Sequence, residues 1–251
     1  RLLAQWVRRP LARPGMIVAR QDAVDEIKQT VAERGSPACE IARVLKRLKR
    51  VDLERAAERV VHGRCDPREF VTILGEFAAA AAVVAGAKFV SPLLAKMAND
   101  APGQALAQAI RDLLAGLSRS KAATNDLGGL FVDPASYPEV FAIKSETEAI
   151  HHAFSEELAE IRTALKNPSI KFRSLRTGPT SMLEYLIELP RAAAVPREWN
   201  EVSSTQRLAR YVTPRTEELL DQLARRREEL ALATKQAWKQ LLLGFSGAQR
   251  S

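Results

Sequence analysis

The chain has 251 residues, 46% of them hydrophobic, and carries 38 Lys and Arg against 30 Asp and Glu for a net charge of +8. Such a composition excludes a disordered tail, because enough apolar side chains are present to bury a core. Two cysteines exclude a disulfide framework, and the positive balance favours a polyanionic partner without naming one.

The opening "RLLAQWVRRP" has no methionine and no apolar run of signal-peptide length, so the chain reads as a piece of a longer protein. Leu2, Leu3, Trp6 and Val7 supply a helical stripe that ends at Pro10, Pro14 and Gly15. "MIVARQDAVDEIKQTVAER" restarts a helix, with Ile17, Val24, Ile27 and Val31 near a 3.6-residue period. Ile41, Leu45 and Leu48 form the next stripe, and the surrounding "RVLKRLKR" reads as a solvated helix face. Asp66-Pro67 has the form of a helix start, with Asp as cap and Pro in the first turn. Phe77 to Val90 is the most apolar stretch. At about 14 residues with Lys88 inside, it is too short for a bilayer, which needs about 20, and is expected to be a buried helix. "NDLGGLFVDPASYPEV" is a turn-rich break.

From about Val140 the pattern changes. Ile150, Phe154, Leu158, Ile161 and Leu165 mark an amphipathic helix ended by Asn167-Pro168. "SIKFRSLRTGPTSMLEYLIEL" alternates as a hairpin with its turn at "TGPT", which would set Arg173 opposite Glu184. A basic loop follows, then a third candidate strand, "RLARYV". Thr213-Pro214 caps a final helix running past Trp238 to about Leu243.

Catalytic patterns are missing. Neither G-x-x-x-x-G-K-[ST] nor G-x-G-x-x-G occurs. His151 and His152 are adjacent and point about 100° apart on a helix, so they cannot share a metal and read as surface positions. His62 lacks a nucleophile arrangement, and Cys39 and Cys65 read as free thiols. This stretch is therefore expected to be no enzyme and to hold no cofactor or metal. Charge is the informative signal. Between Arg162 and Arg215 stand ten Lys or Arg but four acids, Glu184, Glu188, Glu198 and Glu201. Scattered cations of this kind suit sequence-independent phosphate contact. Lys171, Arg173, Arg176, Arg191, Arg197 and Arg207 are the candidates, with Arg176, Arg191 and Arg197, nearer loops, above Arg173, whose partner could be Glu184. Arg207 and Arg210 could equally stabilise the hinge between this β module and the final helix.

"RLLAQWVRRPL" with "IVARQDAVDEI" resembles the start of the core domain of the MutS mismatch-repair family. "LKRVDLERAAERVVHGRCDPREF" is similar to the next family signature, with Val51 where a proline is usual, and "STQRLARYVTP" and "EYLIEL" look like stretches of the family's clamp. "ASYPEVFAIKSETEAI" and "LKNPSIKFRSL" resemble most the branch of the third eukaryotic homologue.

The resemblance implies a mainly α fold: long lever helices of a helical core domain, with a small β-rich clamp inserted between two long antiparallel helices. Its expected parts are a core and lever region over 1–166, a clamp over 167–212, and a returning lever over 213–251 leading to an ABC-type ATPase domain absent from these residues. Ile150 to Lys166 and Thr213 to Leu243 would be the levers. The function it implies is a nuclear, ATP-dependent mismatch-repair protein that grips duplex DNA containing loops or mismatches through its backbone. ATP and magnesium would belong to the full-length protein. The second MutS homologue would be the heterodimer partner, and no membrane is involved. A meiotic paralogue holding recombination junctions, or a helical scaffold with a basic protein-binding face, remain the alternatives.

Overall fold

The computed structural model describes residues 6–48, 53–100, 103–178 and 182–247. Leu2, Leu3, Val51, and Pro179 and Thr180 of the expected turn lie outside them. The described residues form ten named helices and four strands: α1 (Pro14–Thr30), α2 (Pro37–Leu48), α3 (Leu53–Val61), α4 (Pro67–Gly86), α5 (Pro92–Asp100), α6 (Gly103–Ala115), α7 (Arg119–Ala123), α8 (Leu127–Leu130), α9 (Pro138–Ala164), β1 (Phe172–Arg176), β2 (Met182–Pro190), β3 (Asn200–Ser204), β4 (Leu208–Val212) and α10 (Pro214–Gly247). The protein is mainly helical with one small antiparallel sheet. It divides into two compact units, residues 1–133 with 237–251, and residues 134–236.

In the first unit, α4 starts where the sequence signals it. Asp66 takes the amide of Glu69 at 2.8 Å, and Pro67 follows, where a missing N–H costs nothing. Packing around this helix departs from expectation in two ways. The helix begins ten residues before Phe77 and is 20 residues long, and an 18-residue stretch of it has a mean hydropathy of 1.6, enough by length and composition to cross a bilayer. Its buried side chains are Pro67, Phe70, Ile73 and Leu74 in the first half, and no residue from Phe77 to Val90 is fully buried. The second half is built of small alanines whose neighbours cover only one side. There α4 packs along α2 and α6, and α6 comes close because Gly103 has no Cβ. An added methyl would sit 2.7 Å from the Ala85 Cβ and 3.0 Å from the Ala81 carbonyl. On α2 the buried residues are Ala38 and Val44, whereas Leu45 is 59% exposed. Expected as part of the packed stripe, it lies instead beside a groove. Arg43 and Arg47 make the solvated face expected of them, paired with Glu40 and Glu76.

Within the second unit, α9 and the first part of α10 run antiparallel. Thr213 donates to Glu157 at 2.7 Å, and Ile150 and Phe154 pack with Leu219 and Leu223. Arg226 pairs with Glu146 at 3.0 Å. Partners earlier on α9 are later on α10, as an antiparallel pair requires. Thr213 caps α10 by accepting the Thr216 amide at 3.0 Å. Between the two helices in sequence lies the sheet, of order β1-β2-β4-β3. Phe172, Ile187, Leu189, Ala209 and Tyr211 share one face and pack on Leu158, Ile161 and Leu165 of α9.

The sheet corrects two sequence expectations. Arg173 lies opposite Leu186, not Glu184. Between Arg173 and Leu175 the register slips, because Glu184 and Tyr185 on β2 face one residue, Ser174, on β1. Tyr185 takes the left-handed conformation, φ 58°. Alternation alone shows no such bulge. The basic loop also contains an edge strand, β3, paired with β4 and bulged at Val202. "NEVSS" has too little apolar alternation to announce itself.

Candidate nucleic-acid interface

The sheet sets its charges at two ends. β1 begins just past the end of α9 and runs back along it. At the hairpin end Arg176 faces Met182, and Glu184 reaches Arg227 of α10 at 2.8 Å. Tyr185 bonds His151 there, on the middle of α9, at 2.7 Å. At the opposite end, beside Leu165, β2 and β4 finish their pairing at Pro190 and Leu208. There Arg191 donates its amide to the Arg207 carbonyl at 3.0 Å and its guanidinium to the Thr205 carbonyl at 3.5 Å.

The six candidate cations divide accordingly. Arg191 and Arg207 are backbone neighbours at the distal end. Arg197 sits on the loop leaving Arg191, pinned by Val195 and Trp199 packing on the sheet cluster. Lys171 lies at the same end, between Ile170 and Phe172. Arg173 and Arg176 lie instead on the hairpin that points back along the helices. All six are exposed, and none forms an ion pair among the described residues. Lys166, in the turn after α9 at φ 51°, is a seventh exposed cation at the distal end, outside the six candidates.

Other cations of the segment are used internally. Arg210 faces Glu188 across β2 and β4 and bonds it twice, at 2.8 and 2.9 Å, with both side chains largely covered. It ties one strand to the next within the sheet, where the sequence offers it phosphate contact or the hinge to the final helix. Arg162 donates to the Ile170 carbonyl at 2.8 Å and closes the link from α9 into β1. Arg215 pairs with Glu218.

His151 and His152 are exposed, and His152 stands 3.3 Å from Glu156. Tyr185, opposite His151, has its phenol pushed above the ordinary value by burial and by Glu184, which keeps it neutral. Cys39 and Cys65 are free thiols, the first half-buried and the second buried. Among the described residues no three His, Cys, Asp or Glu side chains gather as a metal-ligand set. The exposed cations at the distal end therefore offer dispersed positive charge without a preorganised pocket. Such a surface suits a repeating polyanion better than a small anion.

Fold and charges together define a helical protein that carries a small cationic sheet between paired helices. Residues 1–242 match the family MutS domain III, and the chain belongs to that family. It is 30% identical over 243 residues to "DNA mismatch repair protein MSH3" of Cryptococcus neoformans, covering 95% of this chain and 19% of that protein. To "DNA mismatch repair protein Msh3" of Dictyostelium discoideum it is 28% identical over 275 residues, covering 98% and 19%. The human protein of that name is 29% identical over 255 residues, covering 98% and 21%. The chain thus spans about a fifth of the length of these relatives.

Proposed function

We propose that this chain is the lever and clamp portion of a DNA mismatch-repair protein, and that the distal end of its sheet grips the duplex backbone. The observation that carries the reading is the set of exposed cations, Lys166, Lys171, Arg191, Arg197 and Arg207, that form no ion pair among the described residues and gather where the sheet leaves α9. Backbone contact of this kind holds DNA without reading sequence. Arg173 and Arg176 extend the positive surface down the hairpin.

The relatives' names support mismatch repair; loops and mismatches as the lesions, the second MutS homologue as partner and the nucleus as the place of action follow from the resemblance of "ASYPEVFAIKSETEAI" and "LKNPSIKFRSL" to the third eukaryotic homologue. The full-length protein is a DNA-dependent ATPase whose nucleotide and magnesium sites lie outside these residues. A rearrangement at that domain would reach the sheet through α9 and α10, since packed helices shift as rigid elements.

An anisotropy titration of the chain on duplex DNA at rising salt tests the reading. Affinity should fall with a log–log slope of about 0.9 per phosphate neutralised, and Arg191→Glu with Arg197→Glu should weaken it at unchanged helix content. Binding indifferent to salt overturns the clamp assignment.

A further inference from the structure

A groove of about 320 Å³ opens in the first unit between α1, α2 and α5, and every residue lining it is apolar. Ile27 and Val31 come from the end of α1, Ile41 and Leu45 from α2, Leu94 and Met97 from α5. Four of these are exposed: Ile27 39%, Val31 37%, Leu45 59% and Met97 62%. Contiguous exposed apolar surface of this kind marks an interaction site rather than a stray surface leucine. On α2, Ile41 and Leu45 are one turn apart, so the wall presents a ridge at helical spacing, the form that receives a helix laid into a groove.

The rim says what kind of helix. At about 100° per residue, Lys28 stands beside the Ile27–Val31 ridge and Lys46 beside Leu45, while Lys88 immediately precedes the lining residue Phe89. All three are exposed and form no ion pair among the described residues. The acids of the same elements are mostly spent or turned away. Glu26 accepts the amides of Val90 and Ser91 at 2.8 and 2.6 Å. Glu40 and Glu76 hold Arg43 and Arg47, and Asp22 and Asp25 are turned about 140° and 160° from Ile27. Glu33 and Arg34 offset each other in the turn after α1, which leaves Asp100, at the end of α5, against three lysines.

We propose that this groove is the docking site for an amphipathic helix of another protein, one whose apolar stripe at i, i+3, i+4 and i+7 is flanked by acidic residues. The stripe fills the groove, and the flanks meet Lys28, Lys46 and Lys88. The groove is lined by residues of the first unit alone, and the proposal does not rest on the DNA-gripping assignment.

The test uses the whole 251-residue chain and two labelled helical peptides with the same leucine stripe, one with glutamate flanks and one with lysine flanks. Anisotropy should show saturable binding of the glutamate peptide and at least tenfold weaker binding of the lysine peptide. Leu45→Gln with Met97→Gln should reduce the first by tenfold or more. Both positions are largely exposed, so circular dichroism and melting should be unchanged. Three outcomes overturn the proposal. One is equal or absent binding of the two peptides. Another is binding that survives the double substitution and is displaced by duplex DNA, which would put the peptide on the cationic sheet. The last is self-association in sedimentation abolished by the double substitution, which would make a second copy the occupant.

Discussion

Tyr185 lies flat on Phe154, ring centroids 3.7 Å apart and planes 10° from parallel, although its backbone holds the left-handed conformation that a bulky residue seldom takes. Phe172 meets both rings edge-on, at 5.3 and 6.0 Å, and His151 bonds the phenol. Stacking and burial thus offset the roughly 1–3 kcal/mol such a backbone costs. Phe154→Ala should destabilise the chain by about 3–5 kcal/mol in a denaturant melt. Tyr185→Phe keeps the ring and should cost about 1 kcal/mol. Tyr185→Gly relieves the backbone but loses the stack; a stabilised glycine variant would show that the strain outweighs the aromatic contact.

Trp238 packs edge-on against Phe70 at 5.3 Å and donates its indole N–H to the Cys65 carbonyl at 3.0 Å. Trp238→Ala should lower stability by about 3–5 kcal/mol, and Trp238→Phe by a smaller amount because a buried carbonyl loses its donor. Thermal melts within a degree of the parent would contradict that packing.

Gly103→Ala would be favourable on helix propensity alone. The 2.7 Å approach of its added methyl to Ala85 makes it unfavourable here, by about 1–3 kcal/mol. Chemical denaturation of that single variant decides between propensity and packing.

The Arg210–Glu188 pair should behave differently from the exposed cations. A double-mutant cycle with Arg210→Met and Glu188→Gln should give a coupling of about 0.5–3 kcal/mol in stability. Arg191→Ala, Arg197→Ala and Arg207→Ala together should leave stability within about 0.5 kcal/mol each and reduce the salt slope of DNA binding by about 3. A large stability loss in that triple variant would show these cations to be structural.

Cys65 is pushed up to about 12 from an ordinary 9.0, by burial first and then by Glu69. The folded chain keeps its proton where the unfolded chain loses it. Stability therefore falls as pH rises from about 9 toward 12 and is unaffected below 9. At pH 8 a thiol reagent should titrate Cys39 in the native chain, and Cys65 only after unfolding. Equal rates for the two would refute its burial.

Much was legible in the sequence because its signals are local. Asp66-Pro67 and Thr213-Pro214 predict helix starts through a side-chain oxygen within reach of an amide three residues on, and both caps form. The stripe of Ile150, Phe154 and Ile161 predicts the buried face of α9. The excess of cations after Arg162 is likewise a property of composition. Tertiary structure alone decided what depends on partners distant in sequence. At the bulge Phe154 and His151 hold the Tyr185 ring from another element, and the bulge, added to a hairpin register one residue off the expected one at Arg176 and Met182, sets Arg173 opposite Leu186. Arg210 and Arg191 look alike in sequence, yet Glu188 sits across the strand from one, and among the described residues no acid pairs with the other. Leu45 and Val44 are equally apolar neighbours, but packing buries only the second. Local capping and periodicity act within a few residues, whereas burial and charge pairing are settled only when the chain closes on itself.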